Sequence, residues 1–137
     1  FLLNLSTIMQ ARYRLTVFAE FAAAHTLRDY PGDCSRLHGH NWKAEVEVEA
    51  TELDRHGMGV DFKVIRQAAR TLAAELDHRN LNDIAPFDRV NPTAENIAAW
   101  FYRGLSETLN TATVRVTAVT IWETDRARVK YSEVADR

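Results

Sequence analysis

From Tyr13 onwards the chain alternates. Tyr13, Leu15, Val17, Ala19, Phe21 and Ala23 hold the odd positions and Arg14, Thr16 and Glu20 even ones, with Phe18 the exception. A period of two marks a strand with one covered face, and continuing it places His25 on the apolar side. The Pro31-Gly32 step then signals a turn. Alternation returns with Trp42, Ala44, Val46, Val48 and Ala50 against Lys43, Glu45, Glu47 and Glu49, a half-buried strand. If that strand begins early enough, His38 and His40 project to the same side as Trp42.

The period changes after a connection over residues 53–59, where Gly57 and Gly59 occupy turn positions. Asp61 is placed to cap a helix whose apolar positions Phe62, Ile65, Ala69, Leu72 and Leu76 fall on one face, and which ends near Asp77-His78. Residues 79–91 read as irregular, with Pro86 and several Asn and Asp. Pro92 and Thr93 open a second helix, with Thr93 as N-cap and Ile97, Trp100, Phe101, Leu105 and Leu109 as its buried stripe. Residues 114–122 alternate again, and Thr124-Asp125-Arg126 turns the chain into a last strand around 129–131. Runs of strands and helices in the order ββααββ predict an α+β domain: a four-stranded antiparallel sheet with two helices on one face.

Composition narrows the function. Lys+Arg 17 against Asp+Glu 19 gives a net charge of -2 in 137 residues, with no basic block to track a phosphate backbone, so nucleic acid is excluded as a first partner. No apolar run reaches the length of a membrane span. Cys34 is the only cysteine, which rules out an intrachain disulfide and fits a reducing cytoplasm. Residues 1–8 are apolar without a basic leader, and are expected to be an extension ahead of Met9, an expression remnant or a misplaced start. Residues 9–137 are expected to form a single domain.

The chemistry gathers in Cys34-Ser35-Arg36-Leu37-His38-Gly39-His40, with His25 upstream. Three histidines, two of them at i and i+2 on a strand, match the donor set of Zn²⁺ and leave a fourth position open, as a catalytic site requires. Cys34 has three readings: a fourth ligand closing a structural site, a free thiol that a nearby cation favours as thiolate, or an inert buried residue. Asp77-His78 is either a proton-transfer pair or a histidinium on a helix C-terminal dipole. Glu123 is a strand-end carboxylate able to accept paired N–H donors, or simply a solvated charge. Glu95 suits the dipole of a helix start. His56 is a solvated loop residue.

These pieces resemble the 6-pyruvoyl-tetrahydropterin synthase family, and most closely its bacterial 6-carboxytetrahydropterin synthase branch in queuosine biosynthesis. The resemblance runs from about Phe18 to Tyr131, through Phe21-Ala22-Ala23-Ala24-His25, the Cys34-to-His40 segment, Gly59-Val60-Asp61-Phe62, Leu76-Asp77-His78-Arg79-Asn80-Leu81-Asn82, Asn91-Pro92-Thr93-Ala94-Glu95-Asn96 and Trp122-Glu123-Thr124. It implies zinc on His25, His38 and His40, Cys34 as proton-abstracting base, Asp77 and His78 as a second proton-transfer pair, Glu123 as pterin anchor, and Thr93 and Glu95 lining the pocket. It also implies the tunnelling fold, in which subunits join their sheets into a barrel, as a homohexamer with active sites between subunits. The Cys-x₃-His-Gly-His spacing resembles the carboxy branch; a pyruvoyl-forming synthase and a non-catalytic zinc-stabilised binding module are the alternatives. Thr26 and Ser35 stand where relatives have arginine and glycine, and no triphosphate contact is assigned.

Overall fold

The computed structural model describes residues 9–135. The expected extension over residues 1–8 lies outside them. Two 13-residue strands, β1 (Tyr13–His25) and β2 (His38–Ala50), pair antiparallel without a break from Tyr13↔Ala50 to His25↔His38. The odd face of β1 and the even face of β2 share one side, and along it Val17, Phe21, Trp42, Val46 and Val48 are buried. The pairing therefore ends on histidines, at the edge of a face that is otherwise core.

Two helices cover that face. In α1 (Phe62–Leu76) the Asp61 carboxylate accepts the Lys63 N–H at 2.8 Å, and Ile65, Ala69, Ala73 and Leu76 turn inward. Phe62 departs from the expected stripe: it is exposed, and the buried face of α1 begins at Ile65. In α2 (Ala94–Leu109) the Thr93 hydroxyl accepts the Asn96 N–H at 3.1 Å, and Ile97, Phe101 and Leu105 are completely buried. Each such side chain contributes about 1.5–3 kcal/mol relative to exposure. Phe21 bridges the layers, stacked on Trp42 at 6.0 Å and Phe101 at 5.7 Å.

Strand β4 (Val114–Thr124) pairs with β2, and β5 (Ala127–Tyr131) pairs with β4, both antiparallel. The stretch expected to be irregular also contains a two-residue strand, β3 (Arg79–Asn80), which pairs parallel with Ala23 and Ala24 of β1. The sheet thus has five strands in the order β3-β1-β2-β4-β5 and is mixed rather than purely antiparallel. The cause is the exit from α1: the His78 N–H donates to the Ala22 carbonyl at 2.6 Å and lays the next two residues along the β1 edge. The other sheet face is charged. Lys43 sits over the rings of Phe18 and Trp122, at 5.2 and 4.5 Å from their centroids, and Lys130 pairs with Glu47 at 2.8 Å. No helix among the described residues is long and apolar enough to cross a membrane.

Candidate active site

Strand parity brings His25, His38 and His40 together where the β1–β2 ladder ends. One ring nitrogen from each lies within 4.8 Å of the others, and the His25 ring stands 4.6 Å from His38 and 5.2 Å from His40 between centroids. His25 is only 2% exposed. Its Nδ1 lies 2.7 Å from the Pro92 carbonyl oxygen, a pairing in which Nδ1 carries the proton and Nε2 keeps its lone pair. His38 is oriented in the same way by the Arg36 carbonyl, 2.7 Å from its Nδ1. Trp42 packs edge-on against His25 and His40 and donates its indole N–H to the Ala23 carbonyl at 3.1 Å.

The Nε2 atoms of both His25 and His40 are buried with no hydrogen-bond partner. A buried polar atom left unsatisfied costs about 1–3 kcal/mol, and two in one cluster are not explained by packing. The Glu123 carboxylate is the nearest charge, at 3.9 Å from His25 Nε2 and 4.0 Å from His40 Nε2, too far for a hydrogen bond. Burial is the main reason that both imidazoles are held below their ordinary pKa, against the opposing pull of the Pro92 carbonyl on His25 and of Glu123 on His40. Neutral imidazoles with converging lone pairs are what a divalent metal takes as ligands. The cluster therefore fits zinc on the chemistry of its donors.

Glu123 reaches this face through a local irregularity. Ala118 pairs with Glu47 but Val116 with Val48, so Thr117 is an extra residue in β4, and its hydroxyl donates to the Glu47 carbonyl at 3.2 Å. Bulges of this kind re-aim the side chains beyond them. A second irregularity lies between Trp122 and Thr124, at Glu123 itself.

Asp77 and His78 form a direct pair. With α1 ending at Leu76, Asp77 turns extended, and Asp77 Oδ2 lies 2.9 Å from His78 Nδ1 while Oδ1 accepts the Ala22 N–H at 2.8 Å. The Ala22 N–H is the first cause, and His78 the second, that hold the Asp77 carboxyl below the usual carboxylate value. His78 adopts φ 58, a left-handed conformation that costs roughly 1–2 kcal/mol outside glycine. It lines a shallow cleft of about 420 Å³ together with Ala22, Ala23, Ala24, Gly39, His40, Asn41 and Arg79, so His78 and His40 border the same cleft. One chain therefore clusters His25, His38, His40 and Glu123 and holds Asp77-His78 against the Ala22 backbone at the outer edge of β1. Cys34 is exposed in a short 3-10 turn, Asp33–Ser35. Its carbonyl accepts the Leu27 N–H at 3.0 Å. Thr93 is the cap of α2, directly after Pro92. Glu95 is exposed and lines a separate groove with Phe87, Trp100 and Arg103. The role of the Pro92 carbonyl had no signal in the sequence beyond the proline itself.

A model of the 6-pyruvoyl tetrahydropterin synthase family matches residues 14–134. The chain belongs to that family. It is 39% identical over 92 residues to a 6-carboxy-5,6,7,8-tetrahydropterin synthase of Synechocystis sp., covering 64% of this chain and 70% of the relative. A 6-carboxy-5,6,7,8-tetrahydropterin synthase of Bacillus subtilis is 32% identical over 115 residues, 80% of this chain and 77% of that one. A dihydroneopterin monophosphate aldolase of Pyrococcus furiosus is 36% identical over 110 residues, 80% and 89%. Among solved structures, the 6-pyruvoyl tetrahydropterin synthase of Caenorhabditis elegans superposes with a TM-score of 0.80 at 24% identity, over 93% of this chain and all of that one. The fold is thus the tunnelling fold of this family of pterin enzymes, here as a single open sheet with two helices.

Proposed function

We propose that the protein is a zinc-dependent 6-carboxy-5,6,7,8-tetrahydropterin synthase, converting 7,8-dihydroneopterin triphosphate and water to 6-carboxytetrahydropterin, acetaldehyde and triphosphate in queuosine and 7-deazaguanine biosynthesis. The observation that carries this reading is the pair of buried, partnerless Nε2 atoms converging beside Glu123, in a chain with several relatives named for that activity. The proposal takes residues 9–137 as one cytoplasmic domain.

His25, His38 and His40 hold the metal, the first two with their Nδ1 atoms anchored on backbone carbonyls. When bound, zinc supplies Lewis acidity that makes protons next to the substrate's side-chain oxygens easier to remove. The Cys34 thiolate takes a carbon-bound proton. Asp77 fixes His78 through Nδ1, leaving Nε2 to give or take the second proton. Glu123 accepts paired N–H donors of the pterin ring, and Thr93, next to Pro92, belongs to the pocket wall; Glu95, in a groove apart from the histidines within one chain, would join a pocket wall only across a subunit boundary.

The reading includes a homohexamer whose sheets join into a barrel. Two sheet edges support it: β5 has no outer partner among the described residues, and β3 covers only Ala23 and Ala24 of β1. Such edges are templates for pairing with another chain.

Product identification tests the proposal. Zinc-loaded protein incubated with 7,8-dihydroneopterin triphosphate is expected to release acetaldehyde and triphosphate together. Triphosphate without acetaldehyde would make it a pyruvoyl-forming synthase, and turnover of the monophosphate alone would align it with the Pyrococcus aldolase. No turnover by a metal-saturated, folded protein would leave a zinc-stabilised binding module.

A further inference from the structure

The segment between His25 and the loop that carries Cys34 is held in an unusual way. Pairing between β1 and β2 stops at His25↔His38, so Thr26, Leu27 and Arg28 leave the sheet with backbone groups to satisfy. Two asparagine side chains replace the missing strand. Asn82 accepts the Thr26 N–H on Oδ1 at 2.8 Å and donates its Nδ2 to the Thr26 carbonyl at 3.0 Å. Asn91 does the same for Arg28, at 2.9 and 3.1 Å. A primary amide presents one acceptor and one donor side by side, so each asparagine imitates one residue of a β-ladder. The other edge of the segment is used too: the Leu27 N–H donates to the Cys34 carbonyl at 3.0 Å.

We propose that Asn82 and Asn91 are positioning residues that hold Thr26–Arg28 extended and thereby set the place of both His25 and the Cys34 loop. The inference rests on the reading of His25 as metal ligand and Cys34 as base. Both asparagines are themselves anchored. The Asn82 N–H donates to Asn80 Oδ1 at 3.2 Å, beside the fully buried Leu81. The Asn91 carbonyl accepts Asn96 Nδ2 at 2.8 Å, and the Arg28 guanidinium donates to the Phe87 carbonyl at 2.7 Å. Asn91 has a second lever. The next residue is Pro92, whose carbonyl orients His25; its ring fixes φ, so the position of that carbonyl group follows the clamped Asn91. One residue thus connects the ligand's outer contact and the segment that leads to the thiol. A purely structural stitch would stabilise the loop without acting on either.

The test uses Asn82→Ala, Asn91→Ala and the milder Asn91→Asp, which keeps an acceptor for the Arg28 N–H but sets an oxygen against the Arg28 carbonyl. Asn110→Ala is the control, since Asn110 Oδ1 accepts the Val116 N–H at 2.8 Å in a comparable side-chain-to-backbone bond away from the histidines. The measurements are the visible spectrum of the Co²⁺-substituted protein, the rate of zinc release to a chelator, the rate of iodoacetamide alkylation of Cys34, and the melting temperature. Loss of an outer contact to a metal ligand typically costs 10- to 100-fold in affinity. We expect about 10-fold faster zinc release from both alanine variants, a changed cobalt spectrum and a changed alkylation rate. Asn91→Asp is expected to show part of each shift and serves alone if the alanine variants do not fold. Asn110→Ala should lower only the melting temperature. Wild-type values for zinc release, spectrum and alkylation in the Asn82 and Asn91 variants would overturn the proposal. A wild-type protein that takes up no cobalt would instead overturn the metal reading, and this inference with it.

Discussion

Replacing His40 by leucine distinguishes a histidine kept as a ligand from one kept for packing. In the metal-free protein His40 Nε2 is buried without a partner, and removing such an atom recovers about 1–3 kcal/mol. The ring packs edge-on against Trp42 at 5.1 Å with its side chain 18% exposed, so leucine retains apolar contact there, with a shape mismatch of less than about 1.5 kcal/mol. The balance favours metal-free His40→Leu over metal-free wild type by roughly 1 kcal/mol, or about 3–5 °C in melting temperature for a chain of this length. Zinc reverses the order. At a thousand times its dissociation constant a ligand bound only by the folded state contributes about 4 kcal/mol, and the variant, with two of three ligands, loses most of this. Unfolding of both proteins near pH 8, in chelator and in excess zinc, reads out the two differences. A variant more than about 1 kcal/mol less stable than wild type in chelator would show that the nitrogen is satisfied within the protein and that the burial argument is wrong. A wild type that zinc does not stabilise would refute the ligand assignment.

Other substitutions test separate links. Cys34→Ala is expected to keep the fold and stoichiometric zinc by elemental analysis while losing on the order of 10²–10⁴ in turnover; zinc loss would make Cys34 a ligand. Asp77→Asn tests the proton pair through linkage. Its carboxyl is held below the ordinary value, so its stabilisation is present above the unfolded-state pKa and disappears as pH falls through the folded one. Wild type should lose more stability than Asp77→Asn between about pH 5 and pH 2.5, measured by urea midpoints, and equal losses would show that the Ala22 and His78 contacts do not favour the charged form. Thr93→Ala should cost about 1 kcal/mol in urea unfolding through loss of the α2 cap. Gly59→Ala should cost about 1–3 kcal/mol, because a Cβ there would stand 2.5 Å from the Ala50 Cβ; an unchanged midpoint would mean that the connection yields freely.

Most of the site was legible in the sequence wherever a period of two governed it. The parity of β1 and β2 placed His25, His38 and His40 on the Trp42 side, and Asp61 and Thr93 cap their helices as their positions indicate. What the period could not supply is the backbone's own part. The Pro92 carbonyl, the Asn82 and Asn91 clamps and the parallel β3 all lie in or beside residues 79–91, where Asn, Asp and Pro signal a loop without saying which distant groups it satisfies. Pro92, Asn82 and Asn91 bond to His25, Thr26 and Arg28, more than 50 positions away in the chain, a separation no local pattern carries.

Glu123 shows how one residue can undo such a reading. Continued from Val114 and Val116, strict alternation would send even positions to the core and Glu123 to the charged face. Thr117 is inserted into the ladder opposite the Glu47-Val48 step, and beyond it the parity inverts: Val119 and Ile121 are fully buried, while Trp122 turns outward under Lys43. Glu123 follows Ile121 to the covered side and stops 3.9–4.0 Å from two imidazoles. A buried valine and isoleucine contribute together about 3–6 kcal/mol, so the core holds the inverted register in place. Apolar packing two residues away thus helps set the carboxylate beside the histidines.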